Sequence, residues 1–160
     1  VAAELIGTFF LVFLGRASVS IDKKSDGSIT HLGVSLVWGL AVMVLIYSLG
    51  HISGGHFNPA ITLAFATVRR FPLKDVMGYI AAQFVGSISS GFVLRLLLGK
   101  ENMVAIVPTG SDMQSFVVEF LIAFLLMFVV CGVATDNRAS GEMTGLVVGA
   151  TIAMAVIVAG

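Results

Sequence analysis

The chain has 160 residues, 58% of them hydrophobic and 11% charged, with a mean hydropathy of +1.04. That is far more apolar than a water-soluble domain of this size and excludes a soluble fold. Nine basic and nine acidic residues cancel, so no basic face marks a nucleic-acid partner and no acidic tail marks a solvating segment.

A hydrocarbon core about 30 Å thick takes roughly 20 apolar residues per helical crossing. Hydropathy places crossings at 1–21, 30–50, 73–98, 115–134 and 143–160, with a shorter apolar piece at 58–68. The fold class is therefore an all-α, multi-pass membrane bundle, and no linker is long enough to split it into domains. The first run has no basic stretch before it and no cleavage site after it, and Glu4 interrupts it. It reads as a crossing that starts before Val1, not as a signal peptide. Polar residues gather in the connectors Asp22–Ser28, Arg69–Asp75, Gly99–Gln114 (with Pro108 and Gly110) and Asp136–Glu142. Arg69, Arg70, Lys74 and Arg138 on one side face Lys23, Lys24 and Lys100 on the other, joined by Arg16 and Arg95 at span ends, so loop charge fixes no orientation.

The piece from Asn58 to Val68 would rise only about 16 Å as a helix, half of a bilayer. A half-length helix behind a glycine-rich turn reads as re-entrant. Irregular backbone at membrane depth is tolerated only inside protein or beside a water-filled cavity, so this segment points to a pore.

An internal repeat supports that reading. Glu4, Phe9, Leu11 and Phe13 recur 115 residues later as Glu119, Phe124, Leu126 and Phe128, and Gly39 and Gly50 recur 110 residues later as Gly149 and Gly160. The first copy covers 1–98; the second covers 115–160 and stops where its counterpart of the His51–Asn58 loop would begin. With three crossings per copy, successive copies insert in opposite orientation, the plan that sets a site at the midplane between broken helices.

The stretch that carries the function is His51-Ile-Ser-Gly-Gly-His-Phe-Asn-Pro-Ala-Ile-Thr62. Asn58 is a favoured N-cap and Pro59 suits the first helical position, so the half-helix starts there, with Ala60 next. Gly54 and Gly55 permit extended or left-handed backbone. The carbonyls of Gly54, Gly55, His56 and Phe57 are then free to accept hydrogen bonds from a lumen, and the helix end and the Asn58 amide offer positive potential and donors.

SGGHFNPAIT resembles the first Asn-Pro-Ala box of the major intrinsic proteins, the aquaporin family. AAELIGTFFLVFLG and GLVVGATIAMAV resemble its first and fifth helices, and WGLAVMVLIYSLGHISGGHFNPA is most similar to the plant nodulin-like subfamily. The resemblance implies an aquaporin-like inverted-repeat bundle whose second box and sixth helix follow Gly160. Arg16 departs from the small residue of the family. The resemblance further implies that Glu4 and Glu119 support the two half-loops, and that Trp38 and Val156 belong to the aromatic/arginine constriction. Trp with Val resembles the subgroup passing water, glycerol and metalloid hydroxides such as arsenite. Expected with it are a homotetramer with one pore per subunit, no cofactor, and residence in a plant plasma membrane or endomembrane.

The residues suit three other readings less well. A coupled secondary transporter needs a titratable relay or ion ligands at the midplane, and Glu4 and Glu119 are better placed as loop supports. An enzyme is disfavoured because no G-x-S-x-G or H-E-x-x-H occurs. The spacing of His51 and His56 through a Gly-Gly turn matches no metal-ligand pattern. His31 reads as an interfacial residue, and Cys131, the only cysteine, as a small core residue. Gly86, Gly91, Gly145 and Gly149 would permit close helix packing.

Overall fold

A computed structural model describes residues 1–104, 110–135 and 141–159. Pro108, Arg138 and Gly160, which figure in the sequence reading, lie outside the described residues. The chain forms α1 (Ala2–Lys24), α2 (Thr30–Ser53), α3 (Pro59–Thr67), α4 (Leu73–Leu98), α5 (Asp112–Ala134) and α6 (Thr144–Ala159), with single 3₁₀ turns at Lys100–Asn102 and Gly141–Met143. Among the described residues there is no strand. Among the described residues five helical segments, the fifth being α6 together with the turn before it (Gly141–Ala159), are long and apolar enough to cross a bilayer, and α3, with nine residues, is not.

Local chemistry sets the helix ends. α1 runs through Asp22, Lys23 and Lys24, and its two lysines sit in the last turn, where cations complement the helix dipole. α2 continues past the expected Gly50 to Ser53 and stops at Gly54, which is left-handed at φ 86° and donates its N–H to the Gly50 carbonyl. α5 begins at Asp112, three residues before its apolar run, because Ser111 and Gln114 form a reciprocal capping box.

The strongest packing joins α2 to α6 and α1 to α4. Where α2 meets α6, a Cβ on Gly39 would lie 2.5 Å from the Gly149 carbonyl and 2.7 Å from Ala153, and one on Gly149 would lie 2.6 Å from the Gly39 carbonyl and 2.7 Å from Met43. Both pairs are related by 110 residues, so the contact is reciprocal, as across a two-fold axis. The other copy-related pairs agree. Phe9 stacks on Phe13 at 5.9 Å and Phe124 on Phe128 at 6.5 Å. Gly86 similarly lets α4 reach α1, where its Cβ would lie 2.5 Å from the Leu5 carbonyl. Gly145 packs beneath the Tyr47 ring, so of the four packing glycines only Gly91 has open space beside it.

The bundle is inside-out. Glu4, Thr8, Ser35, Thr62, Gln83, Ser90 and Thr151 are buried, while Phe84, Ile88 and Phe92 form an exposed apolar stripe along α4. Cys131 is a correction to the sequence reading: it lies on an exposed part of α5, not in a core. α5 buries no residue because α6 is its one extensive neighbour among the described helices.

Candidate functional site

Four polar side chains from four elements converge under the half-loop. Glu4 of α1 is fully buried. Its Oε1 accepts from the Ser53 hydroxyl at 2.6 Å and the His56 N–H at 3.1 Å; its Oε2 accepts from the Phe57 N–H at 2.7 Å and Gln83 Nε2 at 2.8 Å. Each oxygen thus receives two donors, which fills the acceptor positions of a carboxylate. Gln83 Nε2 also donates to Thr62 Oγ1 at 3.0 Å, and Thr62 donates to the Asn58 carbonyl at 3.1 Å. His56 Nδ1 lies 3.1 Å from the same Thr62 Oγ1, within hydrogen-bond distance. The His56 ring stacks on Phe65 at 5.1 Å, meets Phe71 edge-to-face and lies tilted against Tyr79.

This cluster shapes the backbone between α2 and α3. Gly54, Gly55 and Phe57 have φ of 86°, 64° and 45°. Glycine adopts that region freely; phenylalanine does so under strain, and is held there by its N–H on Glu4 and by its ring. The ring fills the gap left by Gly7, where a Cβ would lie 2.0 Å from Phe57 Cε1. Among the described residues, the carbonyls of Gly54, Gly55, His56 and Phe57 accept no hydrogen bond.

Asn58 caps α3 with extended backbone, and its Oδ1 accepts from the Ala60 N–H at 2.8 Å. Pro59 occupies the first helical position. The depth of this cap follows from α4: Gln83, which touches Thr62, lies ten residues into that helix from Leu73, or about 15 Å along its axis. The amino end of α3 is therefore near mid-membrane, and its carboxyl end returns to the side from which the half-loop entered.

A cavity of about 110 Å³ opens beside this cap. Gly54 to Asn58 form one wall; Leu11, Val42, Leu126, Val130, Val148 and Ile152 are among the residues facing them. Leu11 and Leu126 are copy-related, as are Val42 and Ile152. Trp38 and Val156 do not line this cavity. They stand four residues, one turn, beyond Val42 and Ile152 on the same faces of α2 and α6, toward the opposite membrane surface. Both are half-buried. Glu119 is exposed on α5 and has no hydrogen-bond partner among the described residues, so this structure brings no half-loop to it. His31 Nε2 lies 3.1 Å from the Ile157 carbonyl, and Arg16 donates to the Val104 carbonyl at 3.0 Å. His51 is exposed in the last turn of α2.

The sequence reading missed Ser53, Thr62, Gln83 and Gly7. Gln83 alone left a signal, an isolated amide in the middle of an apolar span.

The fold is similar to that of the aquaglyceroporin from Plasmodium falciparum, with a TM-score of 0.81 and 23% identity, over 98% of this chain and 68% of that one. The chain is 56% identical to "Aquaporin NIP1-1" of Oryza sativa subsp. japonica and 53% identical to "Aquaporin NIP1-2" of Arabidopsis thaliana, covering 57% of each. It is 50% identical to "Nodulin-26" of Glycine max, covering 59% of it. The chain thus spans somewhat over half the length of the curated relatives it matches. The pattern that defines the major intrinsic proteins matches residues 1–160, and with that match along its whole length the chain belongs to the major intrinsic protein family.

Proposed function

We propose that the full-length protein is a passive channel for water and small uncharged solutes, with glycerol and metalloid hydroxides such as arsenite among them, and that it holds back protons and ions. The observation that carries this reading is Asn58, which caps a half-length helix near mid-membrane depth on the wall of a cavity. A ladder of unbonded carbonyls leads to it. Acceptors along the approach and a positive helix end of roughly half a charge at its head suit a neutral molecule that can both donate and accept. A cation drawn in by the carbonyls meets like charge at the helix end, the arrangement used for exclusion in aquaporin-type pores. The names of the relatives point the same way, as aquaporins and as an aquaglyceroporin.

A coupled transporter would need an acid that exchanges protons with the lumen. Glu4 is fully buried and all four of its acceptor positions are filled by protein donors, which counts against that rival. In the same reading Trp38 and Val156 form part of the constriction, and Glu119 supports a second half-loop. The assembly is a homotetramer in a plant plasma membrane or endomembrane.

The test is Asn58→Asp in the full-length protein, reconstituted into liposomes. A carboxylate replaces the amide donors and opposes the helix end, so cation conductance rises. An inserted, folded variant with unchanged ion conductance and unchanged water permeability overturns the reading.

A further inference from the structure

The wall of the cavity continues by one helical turn on three helices. Leu11 of α1, Val42 of α2 and Ile152 of α6 all line it. Because α1 and α6 run toward the far surface and α2 runs away from it, the next residues on the same faces are Gly15, Trp38 and Val156, about 6 Å further along. Gly15 is not an empty place in that layer. A Cβ there would lie 2.2 Å from Trp38 Cε2, 2.3 Å from Cζ2 and 2.5 Å from Cδ2. The indole therefore lies flat on the bare backbone of α1. These contacts are with the body of a rigid two-ring system, so no small rotation of a flexible tip could relieve them.

We propose that Gly15 determines the width of the solute path by seating the Trp38 indole against α1, out of the lumen. This rests on the reading of Trp38 and Val156 as a constriction and adds a third helix to it. The indole is large, and the position of its plane decides how much of the layer it fills. Seated on Gly15, it presents a broad apolar face and leaves room for a solute the size of glycerol. Any side chain at residue 15 lifts the ring from α1. On this reading a ring lifted from α1 moves toward the solute path. The residue that sets specificity would then be one with no side chain, on a helix that contributes none of the half-loop.

The experiment uses full-length protein in liposomes, with glycerol and water permeability measured by stopped-flow light scattering and normalised to inserted protein. Gly15→Ala lowers the glycerol-to-water ratio several-fold, and Gly15→Ala combined with Trp38→Ala returns it to the level of Trp38→Ala alone. Gly91→Ala, at a glycine with open space beside it, leaves the ratio unchanged. If Gly15→Ala fails to insert, the double variant must restore insertion, since the clash it removes is the same one; failure of both overturns the proposal. Should Trp38→Ala change the ratio while Gly15→Ala does not, the seating role is wrong and the constriction stands. Should neither change it, the constriction reading and this inference fall together, and the channel reading tested at Asn58 survives.

Discussion

A buried carboxylate without partners at membrane depth would cost several kcal/mol, and Glu4 escapes that cost only because four donors reach it from three other segments. Replacing Glu4 by Gln turns one acceptor oxygen into a donor facing donors, and about 1–3 kcal/mol is lost for each group left stranded. Gln83→Leu removes one donor to Glu4 and one to Thr62, and leaves the backbone bonds in place. The expected order of thermal stability of full-length protein in detergent, followed by fluorescence size exclusion, is parent, then Gln83→Leu, then Glu4→Gln. The reverse order would mean that the half-loop is not held by Glu4. Asn58 and Pro59 were legible in the sequence because capping is local, decided by residues within one turn. The partners of Glu4 were not, because they lie 49 to 79 residues away and are ordinary Ser, backbone and Gln groups until the fold collects them. Phe57 in the left-handed region was also hidden, since its strain is compensated by Gly7, fifty residues earlier.

Element boundaries were least certain where a helix is extended by polar residues. The α5 capping box lies in the polar stretch before the span, and hydropathy cannot see it. Ser111→Ala should cost about 1 kcal/mol by leaving helix N–H groups unbonded, measurable as a lower midpoint of thermal unfolding with solute permeability unchanged. The crossing of α2 and α6 is far less forgiving. Gly39→Leu would drive a branched side chain into the Gly149 carbonyl, at a place where a single Cβ already lies at 2.5 Å. The expected outcome is loss of assembled protein, with Gly149→Leu giving the same defect because the contact is reciprocal. Normal assembly of either variant would show that the crossing can open without harm.

At the scale of the whole molecule, the repeat was legible in the sequence from a handful of matched residues, and it proved to be a set of physical contacts. Gly39 touches Gly149, Phe9–Phe13 stacks as Phe124–Phe128 does, and Leu11 and Leu126 share one cavity. What symmetry could not supply was the surroundings of α5. Glu119 and Cys131 are exposed because, among the described residues, α6 is the one helix in extensive contact with α5. The proposed constriction lends itself to a test on the full-length protein. Val156 offers no polar atom, so on the proposed reading Val156→His would narrow the opening and add a group that water satisfies more readily than glycerol does. The glycerol-to-water permeability ratio in liposomes should fall. An unchanged ratio would place Val156 away from the path of the solute.

The span between Glu4 and Gln83 also sets a clock. At a synthesis rate of about 5–20 residues per second, the 79 residues between them take roughly 4–16 s to emerge. For the first 49 of those residues the first helix carries an acid none of whose partners has been made, and until Gln83 follows Ser53, His56 and Phe57 its set of four donors is incomplete. α1 should therefore wait beside the insertion machinery, shielded by water or by protein, until α4 is made. Ribosome-bound chains cut before and after Gln83, with a photo-cross-linker placed near Glu4, should label the insertion machinery in the shorter chain and α4 in the longer one. The half-loop would then be the last part of the first repeat to order, although it lies in the middle of it.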